Sequence, residues 1–283
     1  MAACGGSGES SDPAPPPAVQ HKRLTVGGLS RSYRLYVPLS LDRARAAPLV
    51  LVLGGVGNTA ESMVEATGFD RVADTGEFVA AYADGVNNTW NAGYCCLLGA
   101  ATGPDDVAFL ERLIDDVQSE HNVDRTRVFA VGVSAGAMMA YRLACERPDR
   151  IAGVGSVAGA MIVEECQAAK PASVIEIHGT ADQVVPYEGG DTAGGATQPS
   201  PPTTAVVERW AALNRCPAPA PAQTQGPVMT TSWNGCASGT AVRLITVEGG
   251  GHVWFAPGLG PANGALDATQ EIWSFLSGVR RSG

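Results

Sequence analysis

A serine between small residues is the first position in this chain that could perform chemistry. It lies at the centre of the sequence Gly-Val-Ser-Ala-Gly at 132–136, between an apolar segment at 127–131 and a helix-forming segment at 137–144. A sharp turn from strand to helix tolerates only small residues beside the serine, and it exposes the hydroxyl at the helix N-terminus. Backbone N–H groups at that end can stabilise a developing oxyanion. The motif therefore predicts that Ser134 is a nucleophile.

A nucleophilic serine needs a general base, for which the chain offers four histidines, His21, His121, His178 and His252. The first two precede Ser134 in the chain, and His178 closes an apolar strand, where we expect its ring to cap or line the edge of the sheet. His252 follows a predicted strand at 241–247 and three consecutive glycines. Such a loop lets the backbone bring an imidazole close to a neighbouring strand end. We therefore predict that His252 is the base.

The acid that orients the histidine should lie between the serine and the histidine, because α/β-hydrolases carry their serine, acid and histidine in that order. Asp182 lies there, directly past the end of the strand that His178 closes. Open α/β sheets place their chemistry outside the carboxyl ends of the strands, so the position fits. Asp191 in a Gly/Thr-rich loop and Glu248 beside the histidine loop are weaker alternatives, and a turn-forming role for Asp182 stays open.

A second oxyanion donor is expected after an early central strand. The run at 48–53 is continuously apolar, which is typical of a parallel strand buried on both faces. The sequence Gly-Gly-Val-Gly at 54–57 follows it at once. Because α/β-hydrolases place one backbone N–H of the oxyanion hole here, we predict that Val56 and Ala135 supply the two donors. A plain glycine turn is the alternative.

The elements that must position these groups alternate between strand and helix. This pattern predicts the α/β class, with an α/β-hydrolase fold whose mostly parallel central sheet carries helices on both faces. Strands are predicted near 22–28, 32–37, 48–53, 77–82, 127–133, 151–157, 173–178 and 241–247, and helices near 59–75, 105–120, 135–147, 203–214 and 266–278. The 283 residues, 45% of them hydrophobic, suffice for one catalytic domain at 21–283, preceded by a disordered Gly/Ser/Pro-rich tether at 1–20.

Charge and ligand patterns exclude several classes of partner. The net charge is −9 without any patch rich in lysine or arginine, which argues against nucleic acid. No apolar run is long enough to span a membrane. No paired C-x-x-C or histidine spacing predicts a metal site, and the serine chemistry requires no cofactor.

Cysteine usage indicates an oxidising compartment. Six cysteines outside the N-terminal segment could form three disulfides, namely Cys95, Cys96, Cys145, Cys166, Cys216 and Cys236. Cys216 and Cys236 enclose a single irregular segment and are predicted to bond. Adjacent Cys95 and Cys96 are not expected to bond each other, so they should reach the two remaining cysteines in an order that the sequence leaves open.

The seventh cysteine, Cys4, lies in the sequence Met-Ala-Ala-Cys-Gly-Gly at 1–6. This segment resembles the end of a bacterial lipobox, in which small residues precede a lipidated cysteine. The charged and apolar portions of a signal peptide do not precede it. We expect a secreted protein, and a lipid anchor through Cys4 stays open.

The motifs belong to a wider pattern over residues 22–278. It also comprises Tyr-Ala-Asp-Gly-Val at 82–86, Trp-Asn-Ala-Gly at 90–93, Asp-Asp-Val-Ala-Phe-Leu at 105–110, His-Gly-Thr-Ala-Asp at 178–182 and Gly-Gly-His-Val-Trp at 250–254. The combination resembles the extracellular esterases that include poly(3-hydroxybutyrate) depolymerases, feruloyl and acetylxylan esterases and LpqC-type lipoproteins. The resemblance implies that Ser134, Asp182 and His252 form the catalytic triad.

Two positions depart from the pattern of this family. His-Gly usually follows the first central strand, where this chain has Gly54 and Gly55, and Trp-Pro-Gly usually follows the catalytic histidine, where this chain has Trp254 and Phe255. Trp90 and Trp254 lie near the predicted site and are expected to line a substrate groove, with buried packing as the alternative.

These observations predict a secreted serine esterase that forms an acyl-enzyme. A poly- or oligo-(3-hydroxybutyrate) ester is the leading substrate, and a feruloyl or acetyl ester of plant polysaccharide is the alternative. The rival from another class is a surface-tethered binding protein without catalytic activity. The altered Gly54 favours that rival, whereas the complete set of serine, acid and histidine counts against it.

Overall fold

The computed structural model describes residues 18–163, 166, 170–193 and 196–282. Cys4 and residues 1–17 of the predicted tether lie outside these ranges. The first strand, β1 (Val19–Val26), begins ahead of the domain boundary predicted at residue 21.

One sheet forms the centre of the described chain. After β1 its strands are β2 (Leu29–Tyr36), β3 (Ala47–Leu53), β4 (Val79–Ala83), β5 (Val123–Val133), β6 (Gly153–Val157), β7 (Ser173–Gly179), β8 (Gln223–Gln225), β9 (Val228–Trp233) and β10 (Val242–Val247). Their spatial order is β1-β2-β4-β3-β5-β6-β7-β10-β9-β8. The six strands from β4 to β10 in this order are parallel to one another, and antiparallel pairs complete both edges. The carboxyl ends of β3, β5, β7 and β10 therefore meet at one edge of the sheet.

Helices cover both faces of this sheet. They are α1 (Ala60–Thr67), α2 (Phe69–Gly76), α3 (Leu97–Thr102), α4 (Asp106–Glu120), α5 (Ala135–Glu146), α6 (Thr203–Leu213) and α7 (Ala268–Leu276). Apolar side chains of α4, α5 and α6 pack on one face, and those of α1, α2 and α7 pack on the other. None of the helices in the described ranges combines the length and the apolar character that crossing a bilayer requires.

The central strand β3 shows why the sheet is buried on both sides. Its residues alternate between the two apolar layers, so that Leu49, Leu51 and Leu53 face the layer of α4 to α6 while Val50 and Val52 face the layer of α1, α2 and α7. A continuous apolar run satisfies both layers at once. The predicted α/β class, the mostly parallel sheet and the helices on both faces are confirmed.

Three elements differ from the sequence-based expectation. The helix predicted at 59–75 is two helices, because Gly68 adopts a left-handed conformation with φ of 63° and ends α1. The short α3 and the β8–β9 hairpin were not predicted. All three residues of β8 are exposed, so this strand has no alternation of apolar and polar residues that could have indicated it.

The disulfides confirm one prediction and correct another. Cys216 and Cys236 are bonded, with their Cα atoms 4.0 Å apart. Cys145 on α5 bonds Cys166, with a Cα–Cα distance of 5.0 Å that a disulfide readily spans. These four cysteines therefore pair among themselves.

The adjacent cysteines Cys95 and Cys96 bond each other. The expectation that they would reach Cys145 and Cys166 was therefore wrong. It rested on the general rarity of bonds between neighbouring cysteines, whereas the fold brings Cys145 and Cys166 together from elements that the sequence does not place side by side.

Three disulfides among seven cysteines leave only Cys4 as a thiol. We expect thiol titration of denatured, unreduced protein from an oxidising host to detect at most one thiol per chain. The same sample should yield seven thiols after reduction. Detection of six or seven thiols before reduction would contradict the pairing and the oxidising compartment together.

Candidate active site

Ser134 occupies a strained turn between β5 and α5. Its backbone has φ of 54° and ψ of −123°, a conformation that side-chain-bearing residues rarely adopt. Its N–H donates to the carbonyl of Val157 at 2.9 Å, which ties the turn to the end of β6. The serine thus stands at the carboxyl edge of the sheet, directly before a helix N-terminus, as the motif predicted.

The two glycines of the motif allow the backbone to cross itself at this turn. A Cβ atom on Gly132 would lie 2.4 Å from the carbonyl carbon of Gly136, and one on Gly136 would lie 2.1 Å from the carbonyl oxygen of Leu53. The second contact brings the end of β3 against the turn. A Cβ on Gly55 would lie 3.1 Å from the Cβ of Ser134, so the 54–57 loop also borders the serine.

His252 and Asp182 meet across the ends of β10 and β7. The Nδ1–H of His252 donates to Oδ2 of Asp182 at 2.7 Å. The loops that carry them are joined by the N–H of Ala181, which donates to Gly250 at 2.9 Å, and by the N–H of Gly249, which donates to the Thr180 hydroxyl at 2.9 Å. Close approach of the two loops needs glycine, because a Cβ on residue 179 would lie 2.1 Å from the Gly250 oxygen.

The carboxylate of Asp182 is buried and held by several donors. Its Oδ1 accepts hydrogen bonds from the N–H groups of Val184 at 2.8 Å and Val185 at 2.9 Å. Burial raises the pKa of Asp182, but the hydrogen bonds from His178 and His252 outweigh burial and bring the pKa well below its ordinary value of 3.8. The weaker alternatives for the acid, Asp191 and Glu248, are both exposed.

Ser134 and His252 line one cavity of about 320 Å³. Its other lining residues are Gly55, Val56, Asn58, Met63, Ala66, Val133, Val184, Val253 and Trp254. Within the described residues no hydrogen bond joins the Ser134 hydroxyl to the His252 ring. In unliganded enzymes such contacts are often long and shorten only with substrate bound, so a direct bond between the two stays a prediction.

The two predicted oxyanion donors, Ala135 and Val56, come from the segments after β5 and β3. Ala135 is the first residue of α5, and Val56 is 43% exposed at the cavity. In the described part of the chain, neither backbone N–H has a hydrogen-bond acceptor. Val56 lines the cavity, whereas Ala135 is fully buried beside Ser134 and is not among the lining residues.

The two tryptophans that were expected to line a groove have different surroundings in the structure. Trp254 lines the cavity, and its indole N–H donates to the Thr269 hydroxyl at 3.0 Å. Trp90 does not line it, because its side chain is only 1% exposed and is enclosed by the apolar core. The indole N–H of Trp90 instead donates to the carbonyl of Gly54 at 2.8 Å. Sequence reasoning missed this support beneath the 54–57 loop.

A second histidine contacts the buried carboxylate. Nε2 of His178 lies 3.3 Å from Oδ2 of Asp182, and both side chains are fully buried. From the sequence, this ring was expected to cap or line the edge of the sheet. The available signal was strand alternation, which puts Glu176 and His178 on the same face of β7. Among the residues that the structure describes, no cluster of His, Cys, Asp and Glu could hold a metal ion.

The contact between Gly136 and Leu53 predicts a large effect of one added methyl group. We expect Gly136→Ala to lower the free energy of unfolding by at least about 3 kcal/mol, because the new Cβ meets rigid backbone. Chemical denaturation measures the change. Gly278→Ala is the matched control, since a Cβ there meets no atom within 4 Å, and its effect should stay within about 0.5 kcal/mol. Equal stability of the two variants would contradict the packing of the turn.

Comparison with known proteins finds relatives among the esterases. The family described as "Esterase PHB depolymerase" matches residues 31–206. The chain is 36% identical over 257 residues to "Putative esterase NocK" of Nocardia uniformis subsp. tsuyamanensis, covering 82% of this chain and 73% of that protein. It is 27% identical over 253 residues to "Feruloyl esterase C" of Emericella nidulans, covering 86% of this chain and 83% of that protein.

A solved structure supports the fold. The acetyl xylan esterase from Aspergillus awamori aligns with a TM-score of 0.62 at 15% identity, covering 90% of this chain and 99% of that one. At this identity the likeness speaks for the α/β-hydrolase fold alone. The family match and the sequence relatives together give the conclusion that the chain belongs to the Esterase PHB depolymerase family and is a serine ester hydrolase.

Proposed function

We propose that Ser134, His252 and Asp182 form the catalytic triad of this esterase. The observation that carries the proposal is the 2.7 Å hydrogen bond from His252 Nδ1 to Asp182, with Ser134 on a strained turn in the same cavity. Because a carboxylate can only accept, Nδ1 carries the proton in this contact. The other ring nitrogen, Nε2, is then free to accept the proton of the serine hydroxyl.

The reaction follows from these positions. The Ser134 oxygen attacks the ester carbonyl while His252 takes its proton, and the negative oxygen that forms is held by the N–H groups of Ala135 and Val56. His252 then gives its proton to the departing alcohol, which leaves an acyl group on Ser134. A water molecule, deprotonated by His252, releases the acid and restores the serine. Asp182 stabilises the imidazolium in each half of the cycle.

The cavity favours an uncharged acyl group. Apart from His252, its lining residues carry no titratable side chain, and Met63, Val133, Val253 and Trp254 offer apolar surface. A 3-hydroxybutyrate unit in a poly- or oligo-ester is small and uncharged, and the family match supports it as the leading substrate. A feruloyl or acetyl ester of plant polysaccharide is the second candidate, which the printed names of sequence relatives matching most of this chain support.

The disulfides support a proposal about location. Three bonds in the described chain suit an oxidising compartment, so we place the enzyme outside the cytoplasm. Lipid attachment at Cys4, which lies outside the described residues, would hold the enzyme at the cell surface and belongs to the same proposal.

The triad predicts the effect of removing the nucleophile. We expect Ser134→Ala to lower turnover of a short-chain p-nitrophenyl ester by at least about a thousandfold, because no other group can form the acyl-enzyme. Ser277→Ala, at an exposed serine after α7, is the control and should retain full turnover. Paraoxon should add one phosphoryl group to wild type and none to Ser134→Ala, as read by mass spectrometry.

The same assay separates the candidate functions. Wild-type protein should be tested against hydroxybutyrate oligomers, methyl ferulate and acetylated xylan. Preference for the oligomers supports the leading substrate, and preference for either of the others selects the second candidate. Folded wild-type protein that hydrolyses no ester and takes up no phosphoryl group would favour the non-catalytic binding protein instead.

The hydrogen bond from Trp90 that supports the 54–57 loop gives a separate prediction. Trp90→Phe keeps an aromatic ring but leaves the carbonyl of Gly54 without its donor. We expect a loss of about 1–3 kcal/mol in unfolding free energy and a lower kcat, because the 54–57 loop loses its support. Trp210→Phe is the matched control, since the buried indole N–H of Trp210 has no acceptor within the described residues. If the two variants lose kcat equally, the hydrogen bond from Trp90 does not position the loop.

A further inference from the structure

A series of hydrogen-bonded, buried polar side chains adjoins Asp182 on the side away from His252. Glu176 and His178 extend from the same face of β7, and neither side chain is exposed to solvent. Burial of a charged group is costly unless it is paired and hydrogen-bonded. The burial of Glu176 and His178 therefore requires an explanation. The proposed triad consists of Ser134, His252 and Asp182 and includes neither of these two groups.

The ring of His178 contacts hydrogen-bond acceptors on both sides. Its Nε2 lies 2.9 Å from the carbonyl oxygen of Val185 and 3.3 Å from Oδ2 of Asp182. A carbonyl and a carboxylate can only accept, so Nε2 carries a proton. Its Nδ1 lies 3.1 Å from Oε1 of Glu176 and 3.2 Å from the Thr203 hydroxyl of α6.

Glu176 is surrounded by donors. The Tyr141 hydroxyl of α5 donates to Oε2 at 2.7 Å, and the N–H of Gly159 donates to Oε1 at 3.4 Å. Such donors stabilise the ionised form of a carboxylate. Both carboxylate oxygens of Glu176 accept in these contacts, so Oε1 also accepts from Nδ1 of His178. Both ring nitrogens then carry protons, and the ring is a cation between two carboxylates.

The charges around the ring agree with this assignment. Facing it are Glu176 from β7, Asp182 from the following loop and the ring edge of Tyr187, whose centroid lies 5.8 Å away. Thr203 of α6 faces it as a neutral group. Burial lowers the pKa of His178, but the hydrogen bonds with Asp182 and Glu176 outweigh burial and raise the pKa to about 9.

We propose that His178 is a positively charged positioning residue that holds Asp182 ionised and aimed at His252. The proposal rests on the triad proposed above. His178 touches neither the cavity nor the reacting atoms, so it acts through Asp182. Its positive charge offsets the negative charge of Asp182 and holds that carboxylate in place beside His252.

The positive charge of His178 predicts the direction in which the pH dependence of kcat/KM should shift when this residue is replaced. His178→Gln keeps a donor near the Nε2 position but removes the cation. Asp182 then carries an uncompensated negative charge beside the proposed base, so the acidic limb of kcat/KM against pH should move to higher pH by at least about 0.5 unit. We expect kcat to fall more than tenfold with little change in KM, since no contact to the substrate is lost.

Thr203→Val is the matched control for this variant. It removes a neutral contact to the same ring nitrogen without altering any charge, so it should leave the acidic limb in place. A purely structural role of His178 would lower activity equally across the pH range in both variants. An unmoved acidic limb in folded His178→Gln would overturn the proposal.

Two measurements test the cation without using catalysis. In the NMR spectrum of wild-type protein, both ring nitrogens of His178 should be protonated near neutral pH, and a neutral ring there would overturn the proposal even if the variant fails to fold.

The folded state keeps a proton that the unfolded state loses above pH 6.5, so the Tm of wild type should fall as pH rises from 6.5 to about 9. His178→Gln should lack this part of the fall. Wild type that hydrolyses no ester but shows the charged ring would refute the triad alone.

Discussion

This site depends on close approach between backbone segments at glycine residues, where no side chain keeps the two segments apart. Gly136 lies where a Cβ would be 2.1 Å from the carbonyl oxygen of Leu53, and Gly179 lies where a Cβ would be 2.1 Å from that of Gly250. The first approach places the loop after β3 beside Ser134. The second places the loop after β7 against the loop after β10. Two glycine crossings thus bring together groups from four strand ends.

Electrostatics then determine what the assembled groups can do. Asp182 accepts hydrogen bonds from two backbone N–H groups and contacts a histidine on each side. Buried charge in a medium of low dielectric constant interacts strongly with its neighbours, so each of these contacts matters more than it would at the surface. The carboxylate is fixed before any substrate arrives, which is the preorganisation that stabilises charge developing in a transition state.

The 54–57 loop, which carries one of the proposed oxyanion donors, is also held by neighbouring groups. The usual histidine of the family is absent after β3, and Gly54 occupies its place. The carbonyl of Gly54 accepts from the buried indole of Trp90, and the N–H of Gly57 donates to the carbonyl of Asn88 at 2.8 Å. Both partners come from the segment after β4, which also contains the bonded cysteines Cys95 and Cys96. Two hydrogen bonds from the segment after β4 thus hold a loop that contains three glycines.

Local sequence patterns determined the class of the fold and the candidate residues. A doubly buried parallel strand requires an apolar run, a strand-to-helix turn with a serine requires small neighbours, and the order of Ser134, Asp182 and His252 reflects the order of the strands that carry them. These constraints act within a few residues of the chain, so they can be read without the structure. The split helix at Gly68 also has a local cause, although one glycine was too weak a signal among so many.

Only the tertiary structure decided which distant groups meet. The partner of Cys145, the burial of Trp90 against Gly54 and the contact of His178 with Asp182 all depend on how elements pack across the sheet. Neither spacing nor periodicity encodes such distances, because the same local patterns are compatible with several packings of helices and loops. The charge of His178 is the clearest case, since an isolated imidazole is mostly neutral at physiological pH and becomes a cation here through two buried carboxylates.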